Sequence, residues 1–360
     1  MSSSFGTFLK LSIFGSSHGP QIGMSLENIP KGLHVDLQKL QLFLDRRAPG
    51  RNPWSTTRKE ADIPLFQSGL TENKTNGEVI IAVIQNSNHK SSDYSNFVHI
   101  PRPGHADYAA WTKYGMDYDM TGGGAFSGRM TAPLCIAGGM CKQWLEQQGI
   151  RIGAHIGQIH HVADVRFNPL SPELDQIQDD FPVLSADQGA QMKVVIEDAR
   201  MQGDSLGGTI ECAITGVPAG LGDMLFGGLE GKIAQAIYGI PGVKGVDFGL
   251  GFDNALHCGS FVNDPFTLVD RKIVTATNHC GGILGGISNA MPILFRVAVK
   301  PTPSISKPQK SVNMDTMEEV SLQIQGRHDP CIVPRAVPVV EAAAALALFD
   351  VILANQYRKE

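Results

Sequence analysis

Apolar and polar residues alternate along this chain with two different periods. The runs Val79 to Ile84, Lys193 to Ile196, Thr209 to Ile214 and Ile293 to Val299 are short, rich in β-branched residues and bounded by polar residues or glycine, which predicts strands. Between them, Leu37 to Asp45, Thr131 to Gln148, Gly228 to Tyr238 and Pro338 to Leu353 repeat apolar residues at intervals of three and four, which predicts helices with one buried face. Strands and helices do not alternate at the regular interval of a doubly wound sheet, so the pattern predicts an α+β fold. Ala336 to Ala354 is the most apolar stretch, but Glu341 and Asp350 interrupt it. Its alanine content suits a helix packed inside a protein rather than one in lipid.

The 40 glycines and 21 prolines punctuate the whole chain, which implies many turns and no helical bundle. Lys300 to Met317, rich in Pro, Ser and Lys, reads either as a linker or as a functional loop. No repeat or domain boundary stands out, so residues 1–360 are read as one domain, long enough to bury an ordinary core.

Composition narrows the function. A net charge of -5 argues against a nucleic-acid or anionic-membrane partner, since either favours a broad positive field. The six cysteines form no Cys-x-x-Cys pair and are read as reduced thiols. Only the adjacent pairs His257-Cys258 and His279-Cys280 approach metal-ligand spacing, so no metal site is expected. Lys10 lies inside the first apolar stretch and no small-residue cleavage site follows it; the reading is no signal peptide and a cytoplasmic enzyme.

Glycine-rich chains first raise the question of nucleotide binding. Gly231-Lys232 is followed by Ile233, which breaks the P-loop pattern, and the run Gly122-Gly123-Gly124-Ala125-Phe126-Ser127 misses the dinucleotide fingerprint. That run is either a tight turn or, with Ser127 and Arg129 ahead of a helix, a place where backbone N–H groups and a guanidinium meet an anion. Arg46, Arg47, Arg51, Arg58 and Lys59 fall within 14 residues, either a solvated basic loop or a grip on a small polyanion. His18, His105 and His328 each sit on a loop beside glycine, proline or arginine. An imidazole with a pKa of about 6.5 in such a loop suits proton delivery to an anionic leaving group, although a lone histidine is usually structural. The glycines between Gly281 and Gly286 permit either close strand packing or a backbone laid against a flat ligand. Lys300, Thr302 and Ser304 stand beyond them as polar contacts.

Taken in order, these motifs resemble the chorismate synthase family over nearly the whole chain, from Gly6 to about Asp350. The resemblance rests on Ser17-His18-Gly19, Asp45-Arg46-Arg47 with Pro49-Gly50, Arg102 to Asp107, the triple glycine through Arg129, Asp204-Ser205 with Gly207-Gly208 and Pro218 to Gly222. It continues through Val243-Lys244-Gly245, Asn278 to Ser288, Lys300 to Ile305 and Arg327 to Pro330. It implies helices sandwiched between two antiparallel sheets, a homotetramer, and a trans 1,4-elimination of phosphate from 5-enolpyruvylshikimate 3-phosphate. That reaction gives chorismate, the last step of the shikimate pathway to the aromatic amino acids. It is redox-neutral yet requires reduced FMN, which shares electron density with the breaking C–O bond and takes the ring hydrogen at N5.

By resemblance, His18 is the general acid near the departing phosphate, His105 protonates the reduced flavin and Asp329 accepts the relayed proton. Ala125, Phe126, Ser127, Pro241, Gly242, Gly285, Lys300, Pro301, Thr302, Pro303, Ser304 and Arg327 fall at flavin-contacting positions. Arg46, Arg47, Arg102 and Arg129 face the phosphate and two carboxylates of the substrate. The chain departs from the family's common residues at Ser16, Asn28, Thr121, Ala125, Phe126 and Met130; the resemblance places Phe126 where a serine is usual, with packing against the flavin replacing a polar contact. With no added reductase domain, an external flavin reductase is expected rather than self-reduction with NADPH. Two rivals remain: a hydride-transferring flavin oxidoreductase and a non-catalytic flavin- and anion-binding paralogue.

Overall fold

A computed structural model of the chain describes residues 3–50, 60–86, 99–324 and 329–357. Two five-stranded antiparallel sheets form its outer layers. The first has the order Ser3–Phe5, Lys10–Gly15, Gln21–Glu27, Ile80–Gln85, Leu65–Ser68, and the second the order Val243–Phe248, Ile293–Val299, Gly208–Thr215, Arg151–Ile159, Val162–Ala163. The helices are α1 (Leu37–Arg47), α2 (Asp107–Tyr114), α3 (Thr131–Glu146), α4 (Ala186–Met201), α5 (Leu229–Tyr238), α6 (Gly259–Val262) and α7 (Val333–Tyr357). Helix α3 touches Gln21–Glu27 and Ile80–Gln85 on one side and Arg151–Ile159 on the other, while α7 packs on α3 and the second sheet. The fold is α+β, with helices held between two antiparallel sheets.

The packing follows from residue size. At Gly138 of α3 an added Cβ would run into the backbone of Ala342, so glycine there and alanines at 342–345 let α3 and α7 approach closely. Further along, Trp144 lies 5.2 Å from the Phe349 ring and donates from Nε1 to the His34 carbonyl at 3.0 Å. Each such side chain, fully buried, contributes roughly 1.5–3 kcal/mol. By length and composition α7 could cross a membrane, but its apolar window is 100% buried inside the protein.

The two acids of α7 are neutralised in place. Asp350 accepts the backbone N–H groups of Thr7, Phe8 and Leu9 at 2.8–2.9 Å, which fixes the start of the first sheet. Glu341 accepts both arms of the Arg46 guanidinium at 2.7 and 3.0 Å and pairs with Lys142. Burial would raise its carboxyl, but those two cations hold it down at about 2.

One sequence expectation changes, one element escaped notice and one open alternative is decided. Lys193 to Ile196 is not a strand but the middle of α4, capped by Ser185 accepting from the Gln188 N–H. Its buried residues Gly189, Met192, Ile196 and Ala199 recur every three or four positions, so the longer period overrides three adjacent β-branched residues. Helix α2 has no counterpart among the expected elements. Lys300 to Met317 is no linker, since Gln309–Asn313 pairs with Glu318–Leu322 in a hairpin.

Candidate functional site

A cavity of about 970 Å³ opens where loops from both sheets meet the N-terminal end of α3. Arg47 reaches it from the last turn of α1. Successive residues of a helix point about 100° apart, so Arg46 turns the other way, to Glu341, and does not line the cavity. Arg47 instead donates from Nε to Asp62 at 2.7 Å, and Arg129 pairs with Asp62 and, at 3.1 Å, with Glu60. Burial would raise the Asp62 carboxyl, yet the two guanidiniums hold it below the usual carboxylate range. Two buried arginines thus stand at the cavity with their orientation already fixed by carboxylates.

The triple glycine forms the next wall. Gly122, Gly123 and Gly124 all have positive φ (60, 93 and 53°), a left-handed succession that only glycine adopts at low cost. The turn brings two histidines together: a Cβ on Gly122 would overlap the His18 ring, and one on Gly123 would stand 3.2 Å from His105 Nε2. His18 is therefore pressed against the wall of the cavity beside Ser17, which lines it directly. His105 lines it too. Its Nδ1 lies 2.7 Å from Asp107 Oδ1, which assigns the N–H to that nitrogen and leaves Nε2 turned to the glycines. Asp107 also accepts from Arg102 through its backbone N–H and side chain at 2.7–2.9 Å. Burial opposes the Asp107 charge, but Arg102 and His105 keep the carboxyl far below its ordinary value.

After the glycines, Ala125, Phe126 and Ser127 line the cavity, and Ser127 Oγ accepts the Arg129 N–H at 3.3 Å. Phe126 packs 6.5 Å from both Tyr114 and Tyr118, making an aromatic flank. Opposite lie Pro241 and Gly242, to which the segment Lys300–Ser304 is tied by the Lys300 N–H donating to the Gly242 carbonyl at 2.9 Å. Lys300 Nζ donates to the Gly104 carbonyl. Burial, and then the neighbouring Lys244, lower its pKa. Thr302 Oγ1 is buried with no hydrogen-bond partner among the described residues, a polar atom placed for a ligand.

Asp329 closes the cavity next to Arg335, which pairs with it and donates from Nε to the Arg47 carbonyl at 2.9 Å. Burial lowers the Arg335 pKa.

The structure therefore gathers His105, Asp329, Arg47, Arg102, Arg129, Ala125, Phe126, Ser127, Pro241, Gly242 and Lys300–Ser304 around one space, with His18 behind Gly122. Arg46 and Gly285 lie outside its lining. Arg327, with Arg51, Arg58, Lys59 and His328, lies outside the described residues. Sequence reasoning missed Glu60, Asp62, Tyr114, Tyr118 and Arg335; only Arg335 left a signal, a lone cation at the start of an apolar helix.

A protein named chorismate synthase from Lancefieldella parvula is 46% identical over 97% of this chain and 96% of its own length. Another from Methanothermobacter thermautotrophicus is 44% identical over 96% and 93%. A crystal structure of chorismate synthase superposes with a TM-score of 0.76 at 27% identity, covering 98% of this chain and 93% of that one. The model of the chorismate synthase family matches residues 9–353, and with relatives of this identity along the same length, the chain belongs to the chorismate synthase family.

Proposed function

We propose that this cavity holds 5-enolpyruvylshikimate 3-phosphate against reduced FMN, with His18, His105 and Asp329 managing the protons of the reaction. The activity itself is that of the family, the chorismate synthase reaction, a carbon–oxygen lysis that serves aromatic amino-acid synthesis. The observation that carries the site reading is the convergence of His105, Asp329 and three arginines on one space of about 970 Å³, near the upper end of ligand cavities, with His18 against its Gly122 wall.

The residues fit both ligands. Substrate carries roughly three to four negative charges, and Arg47, Arg102 and Arg129 offer planar, charge-assisted donors at fixed positions. The aromatic flank of Phe126, Tyr114 and Tyr118 suits one face of a flat ring system. Lys300, Lys244 and the unpartnered Thr302 hydroxyl suit its polar substituents and phosphate. When bound, reduced FMN supplies electron density to the breaking C–O bond and a place for the departing hydrogen.

The chain's own groups do the rest. His18 delivers a proton to the phosphate as it leaves. His105, fixed through Nδ1 on Asp107, presents Nε2 to the cavity as the nitrogen through which a proton passes to the flavin. Asp329, kept beside Arg335, is the carboxylate on which the proton removed from the ring comes to rest. In this reading the chain is a single cytoplasmic domain whose flavin is supplied by an external reductase. Assembly as a homotetramer belongs to the same reading, and would give cover to exposed apolar side chains such as Phe226 (97%), Phe252 (84%) and Leu268 (71%).

The test is a fluorescence titration of oxidised FMN with and without 5-enolpyruvylshikimate 3-phosphate, followed by turnover of two variants. Saturable FMN binding, with turnover lowered about 10²–10⁴-fold in His18→Ala and His105→Ala, supports the reading. Absence of FMN binding removes the cavity assignment, and wild-type turnover in either variant removes that histidine.

A further inference from the structure

We propose that Asn86 is a positioning residue that sets the distance between the proton donor His18 and the substrate-binding guanidinium of Arg129; this rests on the site reading above. Asn86 follows the strand Ile80–Gln85 directly and is 7% exposed. Its Nδ2 donates to two carbonyls of the turn that carries His18, Ser16 at 3.2 Å and Gly19 at 2.8 Å. Its backbone N–H donates to the Pro20 carbonyl at 3.1 Å, immediately after the same turn. Its Oδ1 accepts from Arg129 Nε at 3.3 Å.

The amide orientation is set by its neighbours. Carbonyls accept only and a guanidinium donates only, so the NH₂ group must face the turn and the oxygen must face Arg129. Both amide protons and one oxygen lone pair are then used, in a buried place where an unmet partner is costly. One planar group thus spans the two parts that must meet a single phosphate from different sides. The Ser17 N–H donating to the Gly124 carbonyl at 3.1 Å closes the far side of the turn. His18 is held between Asn86 and the triple glycine.

This predicts that two substitutions separate. Asn86→Asp keeps an acceptor for Arg129 but offers no donor and sets a negative charge against the Ser16 and Gly19 carbonyls, so it frees the His18 turn alone. Asn86→Ala frees the turn and also removes one of the three acceptors around Arg129, leaving Glu60 and Asp62 to hold it. The experiment measures kcat, KM and the pH profile of kcat for both variants with chemically reduced FMN, alongside thermal unfolding of each.

For Asn86→Asp the expected result is KM within about threefold of wild type and kcat lower by on the order of 10²-fold, the usual consequence of a catalytic group displaced by an ångström. The limb of the pH profile that reports the proton donor should move. In Asn86→Ala, KM should rise as well. Wild-type kcat in Asn86→Asp overturns the proposal. So does an unchanged pH profile in both variants with kcat falling only as far as the folded fraction falls. Should the wild-type enzyme itself release no phosphate in the same assay, the site reading fails instead, which keeps the two failures apart.

Discussion

Gly122→Ala is the substitution in which a single methyl group reports on the geometry of the site. The residue has φ of +60°, where a side chain costs about 1–2 kcal/mol. The added Cβ would also overlap the near edge of the His18 imidazole, with even the far nitrogen, Nε2, only 3.2 Å away. Ordinary carbon contacts lie at about 3.5–4.0 Å, so the ring must retreat by roughly 1 Å or more. A displacement of that size at a reacting group costs on the order of 10²-fold in rate. The control is Gly149→Ala, where φ is +80° and nothing lies within 4 Å of the new Cβ. Both variants should be destabilised in urea, Gly122→Ala by at least as much as Gly149→Ala, and only Gly122→Ala should lose turnover. If Gly122→Ala turns over at the wild-type rate, His18 does not act from the position in which this turn holds it.

Further outcomes follow from the electrostatics and packing. Glu341→Gln should destabilise the protein by about 3–5 kcal/mol in urea, because it leaves Arg46 and Lys142 without their buried carboxylate. In the wild type, the stability Glu341 contributes is fully present above its unfolded value near 4.5 and is lost as pH falls towards 2, which acid titration of the unfolding midpoint will follow. His155 is buried between Asp164 at 3.0 Å and Glu211 at 2.9 Å; burial lowers its pKa but the two carboxylates raise it further. Its contribution should be complete below about 6.5 and fade as pH rises through the folded value, a dependence that His155→Gln should abolish. Phe126→Ser should weaken FMN binding by about 0.5–1.5 kcal/mol, read by fluorescence titration, and an unchanged affinity would show that the ring does not pack on the flavin.

Periodic stretches were legible because burial imposes their period on the sequence. Ile293–Val299 lies where the apolar run puts it, and α3 departs from its expected end by two residues. Lys193 to Ile196 misled because three β-branched residues are too short a window to distinguish a strand from one turn of a buried helix. Helix α2 escaped because its eight residues alternate weakly and bury mainly Ala110 and Trp111, with a third, Asp107, held by a loop rather than the core. In the site, glycines and histidines were visible as local motifs. Asp62 and Arg335 were not, since their meaning lies in partners far along the chain: Asp62 joins Arg47 to Arg129, and Arg335 joins Asp329 to the end of α1. Arg46 and Arg47 look equivalent in sequence, and only the rotation of α1 sends one into the core and the other into the cavity.

The central claim is tested most directly by mixing the protein anaerobically with 5-enolpyruvylshikimate 3-phosphate and chemically reduced FMN, and following chorismate absorbance and free phosphate together. Equal yields of both over many turnovers per flavin, with none on oxidised FMN and no net consumption of reductant, are the predicted result. Tight binding of substrate and flavin with neither product formed would contradict it and assign the chain to a non-catalytic role.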